Sequence, residues 1–291
     1  MDRNEVPPAH VCLADLRESL RRRIGDAQRA LQNPKLSDEA IHSARKDLKR
    51  ARAHLRLLRG AVGKPVYARE NAALRDAARP LGAVRDAKVM LETVDQLLER
   101  EAGTARRALL AKIRGLLETA RQSALENVQA AGGVDQSAQA LQQAWERAAR
   151  LRLPRKRKAD LRGGVEAIYR RAREALVAVK SDCTPDNLHE WRKQVKYLGN
   201  AMDALGPNEG SRFGKLVERA AAVAESLGEH HDLVVLQDEV AKLHSHPSRA
   251  RTGLFQELAR RRLRLEAKAL KQGRSLFRKN PKAFVKHLPL T

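Results

Sequence analysis

Two stretches of the chain carry the same basic residues at the same spacing. The pattern His-x2-Arg-Lys-x2-Lys begins at His42 and again at His189, 147 positions later. On a helix the histidine, the arginine and the second lysine lie three and four residues apart, so they share one face. Arginine offers a planar fork for phosphate oxygens, lysine a mobile charge, and histidine a charge that depends on pH. The spacing therefore favours binding of a phosphate anion.

The first stretch continues as a longer basic stripe. Arg52 and Arg56 follow at i+10 and i+14 from the histidine, so five nitrogen-bearing side chains run along about 21 Å of one helix face. A solvated surface explains this alignment poorly, because the side chains repel one another, and a bound polyanion would remove the repulsion. In the second stretch the stripe ends after Lys196, since Gly199 and Asp203 take the next positions.

A second shared word follows each stretch. Leu-Gly-x2-Arg-Asp-x2-Val begins at Leu81, and Leu-Gly-x2-His-Asp-x2-Val begins at Leu227. A shorter word, Ala-Asp-Leu-Arg, precedes both stretches at Ala14 and Ala159. Three shared words in one order predict an internal duplication. The predicted parts are a first half at 9–153, a proline-broken basic connector at 154–158 and a second half at 159–285.

The Leu-Gly words are each predicted to begin a helix. There Asp86 and Asp232 would offset the positive helix end or hold a neighbouring basic residue in place. Arg85 has open interpretations: it pairs with Asp86 or with a neighbour in the bundle, or it faces the same anion as the basic stripe.

Composition favours helices and an anionic partner. The chain has 58 Lys and Arg against 35 Asp and Glu, a formal charge of +23, and only 3% aromatic residues. Leucine and alanine supply most of the apolar content, and both favour helices. The charge excess favours an anionic polymer as partner, although a merely soluble charged surface is the alternative for any single basic run.

The chain is expected to be cytoplasmic. Cys12 and Cys183 are isolated from each other, which is typical of a reducing compartment. No apolar run approaches the roughly 20 residues that cross a bilayer, and the first residues lack the apolar core of a signal peptide. We therefore expect neither secretion nor a membrane partner.

Helical periodicity extends over most of the chain. One apolar seam runs from Ile41 to Leu58, and an equivalent seam runs from Leu188 to Leu205. Ser37 or Asp38 is expected to cap the first of these helices. The predicted fold is all-α, with two antiparallel helical bundles around a basic central groove. The predicted helices cover 11–31, 38–59, 66–79, 84–101, 104–130, 135–151, 160–180, 186–205, 211–226, 230–244 and 250–277.

At these words the sequence resembles the CHAD family, the conserved histidine α-helical domain. The family signature is a His-x2-Arg-Lys-rich helix in each of two halves, each followed by a Leu-Gly-x2-Arg-Asp-like segment, and the likeness covers about residues 9–285. The resemblance implies paired helical bundles enclosing a basic channel that binds inorganic polyphosphate, and association with polyphosphate granules. The implied anion-binding residues are His42, Arg45, Lys46, Lys49, Arg50, Arg52 and Arg56, with His189, Arg192, Lys193 and Lys196; Arg85 is a further candidate.

The second half departs from the family pattern. Its helix reads Lys196-Tyr197-Leu198-Gly199-Asn200, where Lys-x-Leu-Arg-Tyr is common, and His231 stands where the first half has Arg85. We therefore expect weaker binding by the second half. Some relatives also carry a triphosphate-hydrolysing domain with a Glu-x-Glu-x-Lys motif, which this sequence lacks.

These features predict a non-enzymatic polyphosphate-binding protein with no cofactor, metal site or catalytic residue. The sequence contains neither a Gly-x4-Gly-Lys-Ser/Thr loop nor a carboxylate cluster for two metals. Sequence-independent nucleic-acid binding is the alternative, although the four Phe, three Tyr and two Trp offer few stacking platforms. A helical scaffold for an acidic protein is a further alternative, and it would show no preference for phosphate chain length.

Overall fold

The computed structural model describes residues 11–33, 36–154, 159–206, 211–242 and 248–290. These residues form twelve α-helices and no strand, so the predicted all-α fold is confirmed. The helices are α1 (Leu13–Leu31), α2 (Asp38–Leu57), α3 (Arg59–Val62), α4 (Lys64–Ala77), α5 (Gly82–Arg100), α6 (Thr104–Ala130), α7 (Gly133–Ala149), α8 (Ala159–Ser181), α9 (Pro185–Leu205), α10 (Arg212–Lys242), α11 (Arg249–Leu276) and α12 (Pro281–Lys286).

The helices that carry the basic words begin with matching caps. The Ser37 hydroxyl accepts a hydrogen bond from the Ala40 amide at the start of α2, which confirms the predicted cap. The Thr184 hydroxyl accepts one from the Asn187 amide at the start of α9. Such caps satisfy amides that have no partner within the helix. Both histidines consequently lie in the second turn of a well-defined helix.

Both predicted apolar seams are buried, as their three- and four-residue spacing requires. In α2 the seam from Ile41 to Leu58 is at most 1% exposed, and in α9 Trp191 is fully buried. Each large apolar side chain buried in this way contributes roughly 1.5–3 kcal/mol. The two helices pack against each other, and α1 and α10 cover their other sides. The basic faces are thereby held beside one another.

The breaks between helices differ from the prediction in two places. Residues 211–226 and 230–244 were expected to be separate helices, but α10 runs unbroken through Leu227 and Gly228. Only the first Leu-Gly word begins a helix, at Gly82. The helix predicted over 38–59 was expected to break at Gly60 and at Gly63; Gly60 instead lies within α3, whereas the break at Gly63 is confirmed, with a φ of 85° that favours glycine. The short helix α12 was not predicted.

Two apolar clusters hold the helices together. The larger one combines residues of α1, α2, α4 and α7 with residues of α8, α9, α12 and the first part of α10. The smaller one combines α5 and α6 with α11 and the last part of α10. Each cluster therefore draws on both predicted halves. The half boundary stays a prediction, since residues 155–158 of the connector lie outside the described residues, and the internal duplication also stays a prediction.

Within the described ranges, no helix combines the length and apolar character that crossing a bilayer requires.

Candidate functional site

A cavity of about 1340 Å³ lies between α2, α5, α9, α10 and α11. It is lined by every predicted anion-binding side chain except one. These lining residues are His42, Arg45, Lys46, Lys49, Arg50, Arg52, Arg85, His189, Arg192, Lys193 and Lys196. The structure therefore brings the two basic words, which are far apart in sequence, to a single space.

Arg56 is the exception. Its guanidinium carbon lies 3.5 Å from the centre of the Tyr197 ring, and its Nη1 donates a hydrogen bond to the Arg52 carbonyl. The reason is a contact across the fold: helix periodicity places Arg56 only about 40° from His42, closer than Arg45 or Arg52, but the Tyr197 ring of α9 holds its guanidinium where the two helices pack. The prediction that Arg56 faces the shared anion is corrected accordingly, because its side chain packs between the helices.

Lys49 and Lys196 form the centre of the cationic lining. They occupy equivalent positions in the two words. Burial, together with Arg45 and Arg192, lowers the pKa of Lys49 to about 8, and burial, Arg192 and Lys49 lower the pKa of Lys196 to about 8. The Lys49 side chain is surrounded by protein but remains open to the solvent of the cavity. The two ammonium groups therefore repel each other in a space that an anion can enter.

These central cations form no ion pair in the described part of the protein. None of its ion pairs includes Arg45, Lys49, Arg192 or Lys196. The Nε atoms of both arginines are buried without a hydrogen-bond partner among the described residues. Such groups are costly to bury unless an anion or water completes their hydrogen bonds.

The glycines of the second shared word make room for the two arginines. A β-carbon added at Gly82 would lie 3.7 Å from Nη1 of Arg45, and one added at Gly228 would lie 3.3 Å from Nε of Arg192. The Arg45 guanidinium is also fixed by a 3.0 Å hydrogen bond from Nη1 to the carbonyl of Ala78. The two shared words of each half are thus parts of one structural unit, in which the glycine of the second word leaves room for the arginine of the first.

The outer part of the lining is partly neutralised. Arg50 pairs with Asp203 at 3.6 Å, and Arg85 pairs with Glu92 at 3.4 Å. Arg85 therefore has an acidic partner and also lines the cavity, and its contact with an anion stays a prediction. Position 203 is equivalent to position 56, so the second helix carries a carboxylate where the first carries an arginine.

Asp86 and Asp232 also line the cavity. Burial raises the pKa of Asp232, while the nearby Arg192 and Lys196 act in the opposite direction. The charge of Asp86 in turn acts on Arg45. Neither carboxylate forms an ion pair with a described basic group. The two carboxylates therefore reduce the repulsion among the cations and leave the cationic groups free to bind an anion.

Each histidine of the basic words has a different neighbour. His42 lies near Arg85, and burial followed by that charge lowers its pKa. His189 lies against His231, with 4.4 Å between the ring centres. Burial followed by His231 lowers the pKa of His189, and burial followed by Arg192 lowers that of His231.

Comparison with known proteins agrees with the all-α fold. A sequence profile of the CHAD domain matches residues 14–241. The chain belongs to the CHAD domain family. The fold is similar to that of PptA from Streptomyces chartreusis, with a TM-score of 0.64 and 19% identity over 91% of this chain and 97% of that one. It is also similar to the CHAD domain from the plant Ricinus communis, with a TM-score of 0.57 and 19% identity over 97% and 93% of the two chains. No curated protein sequence matches.

This CHAD domain places further basic residues at the cavity that the sequence patterns did not reveal. Arg100 at the end of α5 and Arg261 and Arg264 of α11 line it, as does His231 of α10. The three arginines belong to no repeated word, so no pattern pointed to them. His231 had a signal, namely its position in the second shared word, equivalent to Arg85.

Among the described residues, no three His, Cys, Asp or Glu side chains form an arrangement suited to a metal ion.

Proposed function

We propose that this CHAD domain binds inorganic polyphosphate in the cavity, without enzymatic activity, as the family resemblance implies. The observation that carries the proposal is the cluster of Arg45, Lys49, Arg192 and Lys196, which line one cavity and form no ion pair among the described residues. An anion that bridges the two helices would remove the repulsion among them. We further propose that the protein is cytoplasmic and can associate with polyphosphate granules.

A linear polyanion suits the extent of the lining. The basic residues of α2 that line the cavity run from His42 to Arg52, about 15 Å along the helix. A single phosphate group could engage only a small part of this face. A chain of linked phosphates presents charge at regular intervals along it, and each neutralised phosphate releases bound counterions.

Nucleic acid is the competing partner, and the cavity offers it little beyond charge. Of the lining residues, Tyr197 is aromatic, and the Arg56 guanidinium covers one face of its ring. Single-strand binders usually stack bases on aromatic side chains. We therefore expect polyphosphate to bind in preference to nucleic acid at equal phosphate concentration.

The test is a competition between length-defined polyphosphate and single- or double-stranded nucleic acid across a salt series. The variant is Lys49→Ala/Lys196→Ala. The matched control is Lys112→Ala/Lys268→Ala, which removes the same charge from exposed positions outside the cavity. Circular dichroism establishes that each variant is folded.

The expected result is preferential binding of long polyphosphate by the wild type and the control. The cavity variant should bind more weakly. Its slope of log K against log salt should flatten by roughly 0.7–0.9 for each phosphate that the protein no longer neutralises, as for nucleic acids. Equal effects of both double variants would refute the cavity as the site. Equal binding of nucleic acid would refute the preference for polyphosphate.

A further inference from the structure

The two ends of the cationic lining are built differently around their histidines. In the first half, His42 lies near Arg85, which is always charged. In the second half, the equivalent position is His231, and its ring centre lies 4.4 Å from that of His189. A permanent cation in one half thus corresponds to a titratable group in the other.

Charges of both signs surround the histidine pair. On α9 the nearby charged groups are Glu190, Arg192, Lys193 and Lys196; on α10 they are His230 and Asp232; on α5 the group is Asp86. Glu190 forms an ion pair with Lys193, which offsets its charge. Arg192 opposes a positive charge on either ring. Lys196 opposes one on His231, where the charge of Asp86 acts in the opposite direction.

No described carboxylate holds a proton on the pair through a hydrogen bond. Nδ1 of His189 is buried and has no hydrogen-bond partner among the described residues. The adjacent His230 is different, because its Nε2 lies 2.8 Å from Oε1 of Glu266. A charged imidazolium at His230 has a hydrogen-bonded protein partner, whereas His189 and His231 have none among the described residues, so a bound anion can take that place.

We propose that His189 and His231 form a proton-dependent phosphate subsite, which becomes cationic as the anion binds, while the His42 and Arg85 end carries a permanent charge. This inference rests on the proposed function and adds its regulation by pH. The ligand is a phosphate segment of the polyanion. Binding at this subsite takes up protons from solution, since an adjacent anion favours the charged form of an imidazole.

The sign of the pH dependence follows from linkage. In the empty cavity the pKa of both rings is lowered, by burial first, so both are neutral at neutral pH. A bound phosphate raises these pKa values. Affinity therefore rises as pH falls through the pKa of the bound state, and it levels off below the pKa of the empty state. Within that window each proton taken up changes affinity by up to about tenfold per pH unit.

The test exchanges the residues that differ between the halves. Binding of length-defined polyphosphate is measured by calorimetry between about pH 8 and about pH 6, in buffers of different ionisation enthalpy, so that proton uptake is counted directly. The variants are His231→Arg, which gives the second half the residue of the first, and Arg85→His, which does the reverse. His231→Gln keeps a polar side chain that cannot be charged, and it replaces the His231→Arg variant in the test if that variant does not fold. The ligand's own titration is common to all of them.

We expect the wild type to bind more tightly and to take up protons as the pH falls. His231→Arg and His231→Gln should both flatten this dependence, the first with tighter binding at about pH 8 and the second with weaker binding at about pH 6. Arg85→His should steepen it. Variants that bind with the wild-type pH slope and proton uptake would overturn the subsite alone. A wild type that binds no polyphosphate at any of these pH values would overturn both the subsite and the proposed function.

Discussion

Replacing Lys196 by methionine should stabilise the protein while weakening its binding of polyphosphate. Methionine is unbranched and of similar length, so it keeps the apolar contacts of the lysine stem without the charge. In the wild type the ammonium group is half-buried, and Arg192 and Lys49 are its largest sources of repulsion. Removing the charge relieves a conflict that only a bound anion resolves.

The size of the effect follows from the pKa of Lys196. Its decrease from 10.5 to about 8 sets an upper limit of roughly 3 kcal/mol on the penalty for the charged form, at about 1.4 kcal/mol per pKa unit. Solvent in the cavity screens part of this interaction. We therefore expect the free energy of unfolding at about pH 7 to rise by roughly 1 kcal/mol, and the melting temperature by about 2 °C for a chain of this size.

The pH dependence distinguishes this cause from better packing. The lysine is charged in both the folded and the unfolded chain below about pH 8, so the penalty is fully present there. Between about pH 8 and 10.5 the unfolded chain binds the additional proton, and the stability of the wild type rises relative to the variant. The advantage of Lys196→Met should therefore be present at about pH 7 and vanish at about pH 10.5.

The assay is chemical denaturation at both pH values, with and without polyphosphate. Polyphosphate should raise the stability of the wild type at neutral pH far more than that of the variant, because only ligand bound to the folded state contributes. A variant that is less stable than the wild type, or whose gain is the same at both pH values, would show that Lys196 is not under electrostatic strain.

Three further outcomes are expected. Gly228→Ala should weaken polyphosphate binding several-fold, measured by calorimetry, because the new methyl group displaces a guanidinium 3.3 Å away, whereas Gly115→Ala, with no atom within 4 Å, should only stabilise its helix, by up to about 1 kcal/mol in thermal denaturation. Asp203→Asn should tighten binding about threefold at low salt by releasing Arg50 from its ion pair, and an unchanged affinity would exclude Arg50 from the site. Arg56→Ala should lower the melting temperature with little change in affinity, since the side chain packs on the Tyr197 ring and does not line the cavity; a large decrease in affinity would return it to the site.

Much of the site was predictable because the repeated words encode it locally. The spacing of His42, Arg45 and Lys49 fixes one face of one helix, and the helix is fixed by its buried seam. The cap at Ser37 is likewise a local signal. These features need no knowledge of which helices become neighbours.

The errors arose where a contact across the fold decides the outcome. Gly228 was interpreted as a helix start, but within α10 its missing side chain accommodates Arg192. Arg56 was assigned to the basic stripe by periodicity, but its guanidinium packs on the ring of Tyr197 in α9 instead of lining the cavity. Arg261 reaches the cavity because α11 packs beside α10, which no spacing along α11 indicates. Long-range packing, rather than local pattern, therefore decides the periphery of the site.

The helices are divided between two apolar clusters, and this division determines when the binding site forms during folding. The smaller cluster joins α5 and α6 to α10 and α11, so the hairpin made early in synthesis keeps an uncovered apolar face until the last long helices emerge. Contacts between such distant segments form slowly. Lys49 and Lys196 lie on α2 and α9, which pack through the larger cluster, but the cavity walls on α5, α10 and α11 come together through the smaller one. The protein therefore completes its charged cavity only at the end of folding. A chain interrupted before α11 should accordingly both aggregate and fail to bind the polyanion.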